Sequence, residues 1–187
     1  MNIALFASGK GTNVENILSY FSDNKKIKIL FIGTNNIHSG AIKHAKSYKI
    51  PLLNFKNPDL LDPEKLLNKL NNEKVDLLVL AGFLLKIPKV FINQFNGKII
   101  NIHPSLLPKY GGKGMYGDYI HKEVLKNNEK ETGITFHFVN ENYDEGKIIS
   151  QHKISIHESE TLISLKTKIS RLELLNYPRI ISSFIDE

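Results

Sequence analysis

Asn101 and His103 stand two positions apart at the end of the apolar run Gly97-Lys98-Ile99-Ile100, and Pro104 follows at once. Residues i and i+2 of an extended chain leave the same side of the backbone, so a carboxamide and an imidazole are presented together. The pyrrolidine of Pro104 restricts His103 to extended dihedrals and removes one backbone donor, which fixes where the imidazole points. A carboxamide can donate to a developing negative charge, and an imidazole can move a proton near neutral pH. Asp144, in the polar stretch Asn140 to Gly146, supplies a carboxylate able to orient that imidazole. The chain has no cysteine, and no serine sits in a nucleophile elbow. The set therefore suits direct attack by a substrate group rather than a covalent enzyme intermediate. Taken singly, Asn-x-His-Pro is equally a polar strand end before an ordinary proline loop, and most loop aspartates only make turns. The exit Ser105 to Pro108 is a tight turn in which a cis Leu107–Pro108 bond is expected.

A second constellation is Ser8-Gly9-Lys10-Gly11-Thr12-Asn13, between a first strand and a first helix. Backbone N–H groups and the helix dipole favour an anion there, and glycine permits its close approach. A dinucleotide fingerprint fits poorly, because Val14 occupies the third glycine position and Gly33 to Asn36 offers no ribose-binding acid. A Walker loop is excluded, since Gly11 rather than Ser or Thr follows Lys10. The turn reads as a site for a single phosphate.

The elements that must position these groups alternate between strand and helix. Apolar strands are expected at Ile3–Ala7, Lys28–Ile32, near Leu52 and Leu53, at Val75–Ala81 and through Asn101–His103; the helices are Thr12–Phe21, Ser39–Tyr48, one opened by Asp62-Pro63, and Tyr116–Asn127. Two strands, Gly133–Val139 and Lys147–Ile154, and a helix from Leu162 to Ile185 interrupted at Pro178 complete the chain. This order implies an α/β fold with a Rossmann-like, open, mostly parallel sheet, helices on both faces, and ligands beyond the carboxyl ends of the strands. With 187 residues, one domain over 1–187 is expected. There is no run of about 18 apolar residues, no secretory signal and no thiol chemistry, so a cytoplasmic protein without membrane attachment is expected. The net charge of +6 is spread as scattered lysines, which argues against a nucleic-acid surface and for attraction of small anions. Among the other histidines, His44 and His121 read as partly exposed helical residues, and none forms a metal set. Thr135, His137 and Val139 share a strand face that can look toward Asp144, making His137 a candidate to stand behind the catalytic groups.

In their order, Ser8-Gly9-Lys10-Gly11-Thr12-Asn13, Leu80-Ala81-Gly82-Phe83, Asn101-Ile102-His103-Pro104-Ser105-Leu106-Leu107-Pro108 and Asp144-Glu145-Gly146 resemble the phosphoribosylglycinamide formyltransferases of purine synthesis, within the folate-dependent formyltransferases. The resemblance implies transfer of a formyl group from 10-formyltetrahydrofolate, as co-substrate and without a metal, to the amine of N1-(5-phospho-ribosyl)glycinamide. It implies that Gly11, Thr12 and Asn13 hold the phosphate end and Glu173 the glycinamide part. It places Leu84, Leu85, Lys86 and Ile87 around the pterin, with the loop 140–144 closing over it. Asn101 would touch the formyl oxygen and the folate, His103 would act as the acid, and Asp144 would keep the imidazole charged. Partners would be these two small molecules, to a monomer or homodimer. The sequence departs from the pattern at Thr12, where serine is common, in the glycine-rich stretch Tyr110–Tyr116, and around Asp62-Pro63-Glu64, where an arginine is missing. The related methionyl-tRNA formyltransferases and formyltetrahydrofolate hydrolases carry further domains, and a noncatalytic nucleotide sensor would not need Asn101, His103 and Asp144 intact.

Overall fold

A computed structural model of the chain describes residues 1–185, so the last two positions of the expected 1–187 unit lie outside it. The strands are β1 (Asn2–Phe6), β2 (Lys28–Thr34), β3 (Leu52–Asn54), β4 (Leu77–Leu80), β5 (Lys98–His103), β6 (Glu131–Phe138) and β7 (Ile148–Ser155). They form one sheet in the order β3-β2-β1-β4-β5-β6-β7. Pairing is parallel from β3 to β5. It is antiparallel from β5 through β7. The helices are α1 (Thr12–Tyr20), α2 (Ala41–Ser47), α3 (Glu64–Asn72), α4 (Lys89–Gln94), α5 (Asp118–Lys126) and α6 (Leu162–Ser183), with a 3-10 turn at Asn57–Leu60.

The alternation along β1 divides the core. Ile3 and Leu5 face Val14 and Ile17 of α1, Ile120 of α5 and Leu165 and Ile169 of α6. Ala4 and Phe6 face the other way, toward Leu67 and Leu70 of α3 and Phe91 of α4. Both faces are covered, which is why β4 reads Leu-Leu-Val-Leu without a polar position. Phe6 is fully buried against the rings of Phe55 and Phe83, at 5.0 and 5.6 Å.

Two local expectations are corrected, and one helix is added. α4 was not legible, because its six residues offer too little periodicity between Pro88 and Phe95. α6 runs without interruption through Pro178. A proline inside a helix orphans the carbonyl four residues earlier, here that of Leu174, and Asn16 of α1 donates its Nδ2–H to that oxygen at 2.7 Å. His44 and His121 are buried rather than partly exposed. His121 falls on the same inward stripe as Ile120 and Val124, and His44 on that of Ala41 and Ala45.

The chain runs outward from β1 through β2 to β3, then returns to place β4 on the other side of β1. The crevice beyond the carboxyl ends of β1 and β4 is the topological switch point, where an open α/β sheet can admit a ligand. The glycine turn 8–13 leaves β1 at this crevice and the segment 82–87 leaves β4 beside it.

Candidate active site

β5 carries Asn101 and His103 into the crevice as part of the strand itself, not as a loop at its mouth. Asn101 pairs with Leu80 of β4 on one side and with His137 of β6 on the other, and His103 pairs with Thr135. The His103 Nε2 lies 2.7 Å from the carbonyl oxygen of Tyr110. Since a carbonyl only accepts, Nε2 carries a hydrogen. Its Nδ1 faces Asp144 Oδ2 at 3.4 Å, so a ring with a proton on each nitrogen satisfies both partners. Leu107–Pro108 is cis, as expected for the turn that follows.

Asp144 reaches this place from the loop between β6 and β7. Its backbone takes φ of 56°, a left-handed conformation that aspartate tolerates better than most side chains. Its Oδ2 accepts the Gly112 N–H at 2.9 Å, and its Oδ1 lies 3.7 Å from His137 Nε2. Gly146 permits the bend, because a Cβ there would meet the Phe138 carbonyl oxygen at 1.7 Å. The loop is tied across the crevice at two further points. Glu141 pairs with Lys89 at 2.6 Å, and the Lys86 ammonium sits 5.2 Å from the centre of the Tyr143 ring.

A cavity of about 280 Å³ collects these groups. Asn101, His103 and Asp144 line it together with Leu84, Leu85, Lys86 and Ile87 on one wall and Asn13 and Glu173 on another. Ser8, behind the cavity, ties the 84–87 wall to the residues after β2: its hydroxyl accepts from the Leu84 N–H at 3.1 Å and donates to Asn35 Oδ1 at 2.7 Å. Asn13 Nδ2 donates to Glu173 Oε2 at 2.9 Å, while Asn13 Oδ1 is buried without a partner among the described residues. Burial pushes the Glu173 carboxyl above the usual carboxylate range, and the Asn13 hydrogen bond opposes that shift. Gly11 and Thr12 do not form part of the cavity wall; they open α1 beside it. Gly11 takes φ of 79°, and a Cβ there would approach Ala41 N to 2.7 Å. Among the described residues no side chain caps this helix start, which leaves its first N–H groups to an anion.

The formyl transferase family model matches residues 1–181. The chain belongs to the formyl transferase family. It is 36% identical over 191 aligned positions to the chloroplastic phosphoribosylglycinamide formyltransferase of Arabidopsis thaliana, with 99% of the chain aligned. It spans 65% of that plant protein's length, less than two thirds. The phosphoribosylglycinamide formyltransferase of Haemophilus influenzae is 34% identical, with 98% of this chain and 87% of that protein covered. The crystal structure of the phosphoribosylglycinamide formyltransferase from Anaplasma phagocytophilum superposes with a TM-score of 0.90 at 32% identity, covering 100% of this chain and 87% of that one.

Within this family fold, sequence reasoning left several contributors unassigned. Tyr110 and Gly112 hold His103 and Asp144 through backbone atoms, which no residue type announces. Met115 and Tyr116, from the same glycine-rich stretch, close one side of the cavity. The glycines were the available signal, but they mark a bend without saying what it faces. His137 proves to touch both Asn101 and Asp144. Among the described residues no three His, Cys, Asp or Glu side chains are grouped as a metal site needs, and no helix is long and apolar enough to cross a membrane.

Proposed function

We propose that the chain transfers the formyl group of 10-formyltetrahydrofolate to the amine of glycinamide ribonucleotide, a step of purine synthesis; its relatives' names state formyl transfer to phosphoribosylglycinamide. The observation that carries this reading is the meeting of Asn101, His103 and Asp144 in one cavity, between the wall 84–87 and the wall of Asn13 and Glu173. Leu84 to Ile87 and the Asp144 loop receive the pterin, and Glu173 and Asn13 receive the glycinamide end. The uncapped start of α1 at Gly11, Thr12 and Asn13 holds the phosphate. As the amine attacks the formyl carbon, Asn101 donates to the oxygen that becomes negative, an interaction worth roughly 3 to 4 kcal/mol in such sites. His103 gives a proton to the folate nitrogen as the carbon–nitrogen bond breaks, and Asp144, beside Nδ1, keeps the imidazole oriented in the cavity. The attacking amine loses one proton, which the neutral His103 ring takes up, so that the imidazole returns to its starting state.

The test combines the purified protein, 10-formyltetrahydrofolate and glycinamide ribonucleotide, and follows folate absorbance. Turnover that disappears when the ribonucleotide lacks its phosphate supports the assignment. Equal turnover with the dephosphorylated riboside, or comparable formylation of methionyl-tRNA, overturns the substrate and leaves only formyl transfer.

A further inference from the structure

His137 is buried on β6 beside Asn101 and makes three polar approaches. Its Nδ1 lies 2.9 Å from the Phe138 carbonyl oxygen, its Nε2 lies 3.1 Å from Asn101 Nδ2, and the same Nε2 lies 3.7 Å from Asp144 Oδ1. A carbonyl only accepts, so Nδ1 carries the hydrogen. Burial pushes the ring below the ordinary imidazole range, against the pull of the Phe138 carbonyl and Asp144, while the nearby His103 adds to the downward shift. The neutral ring then has a bare Nε2, which can only accept. It selects the amide orientation of Asn101 in which nitrogen rather than oxygen faces the ring.

We propose that His137 is a positioning residue for Asn101: its bare Nε2 accepts one hydrogen of the Asn101 amide and so aims the other at the cavity. Without it the amide is free to turn and present its oxygen, which would repel a developing oxyanion. The inference deepens the proposed function and rests on Asn101 being the donor to the formyl oxygen.

A double-mutant cycle on kcat, with 10-formyltetrahydrofolate and glycinamide ribonucleotide saturating, tests it. His137→Ala should lower kcat about 10- to 100-fold and move either KM less than about threefold. In an Asn101→Ala background the same substitution should cost less than about twofold, because there is no amide left to aim. His137→Gln, whose side-chain oxygen can accept in place of Nε2, should recover most of the loss. If His137→Ala fails to fold by circular dichroism, His137→Leu fills the space without an acceptor and replaces it in the cycle. Equal costs in both backgrounds, or His137→Gln as impaired as the apolar variant, would overturn the positioning role while leaving Asn101 as donor. A wild-type kcat for Asn101→Ala alone would instead remove the donor assignment, and the positioning role with it.

Discussion

Asn101 and His103 ride on β5, in the middle of the sheet, whereas Asp144 hangs on a loop with a left-handed backbone. Asn101 is held by ladders on both sides, to β4 and to β6, and His103 by the ladder to β6 and by the Tyr110 carbonyl at its Nε2. The loop residue is held by one N–H from Gly112, by its approaches to His103 and His137, and by surface ties at Glu141 and Tyr143. The two kinds of support differ in stiffness. A central strand cannot shift without breaking two ladders, while a loop can leave when a few weak contacts open. The amide and the imidazole are therefore fixed in place before substrate arrives. The carboxylate is the member whose position the surroundings decide.

The sharpest way to break this comparison is at the strand. His103→Ala should lower kcat by about 10² to 10⁴-fold, and Asn101→Ala by about 10² to 10³-fold, with substrate binding retained; titration calorimetry beside turnover separates the two. Asp144→Asn comes next, at about 10²-fold in kcat. The asparagine oxygen can still accept from Gly112, so the loop should stay in place while the charge opposite His103 is lost. A turnover close to wild type would make Asp144 a residue that only shapes the loop.

Glu173 allows a prediction with a direction in pH. Its carboxyl is held above the usual range by burial, so in the folded chain it keeps its proton to higher pH than in the unfolded one. That linkage favours folding below the ordinary carboxyl range and is lost as pH rises through the raised value. Glu173→Gln cannot ionise, so thermal melts of the variant should fall less than those of the wild type as pH rises through that window. Its KM for glycinamide ribonucleotide should rise about tenfold, the cost of one hydrogen bond to a charged group.

Asn16→Ala probes the fold apart from the chemistry. It leaves the Leu174 carbonyl without its donor, which should cost about 1 to 3 kcal/mol in urea melts with kcat unchanged. The smallest effect is expected at Lys89→Ala, on the loop tie. An exposed ion pair is worth less than about 1 kcal/mol, so KM for the folate should rise no more than about fivefold, and less at high salt. A larger change would mean that the loop depends on this tie more than the strand comparison allows.

The sequence by itself determined the parts of this protein whose physics is local. Alternating and continuous apolar runs mark β1 and β4 because burial on one or both faces is written in residue type. Gly11 marks its turn because glycine takes a left-handed backbone that other residues rarely adopt, and Pro104 and Pro108 mark theirs because the ring fixes φ. Asn101 and His103 share a face because a strand repeats every second residue. Tertiary structure alone decided whatever depends on a partner far along the chain. Asn16 lets α6 pass through Pro178 by meeting an orphaned carbonyl 158 positions away. His44 and His121 are buried by packing that no helical pattern of their own reveals. His137 stands against Asn101 because β6 runs antiparallel to β5 in one particular register, and a single-residue slip would turn its ring to the other face. Asp144 reaches His103 through the backbone of Gly112, whose N–H is the same in every sequence and so leaves no trace in one.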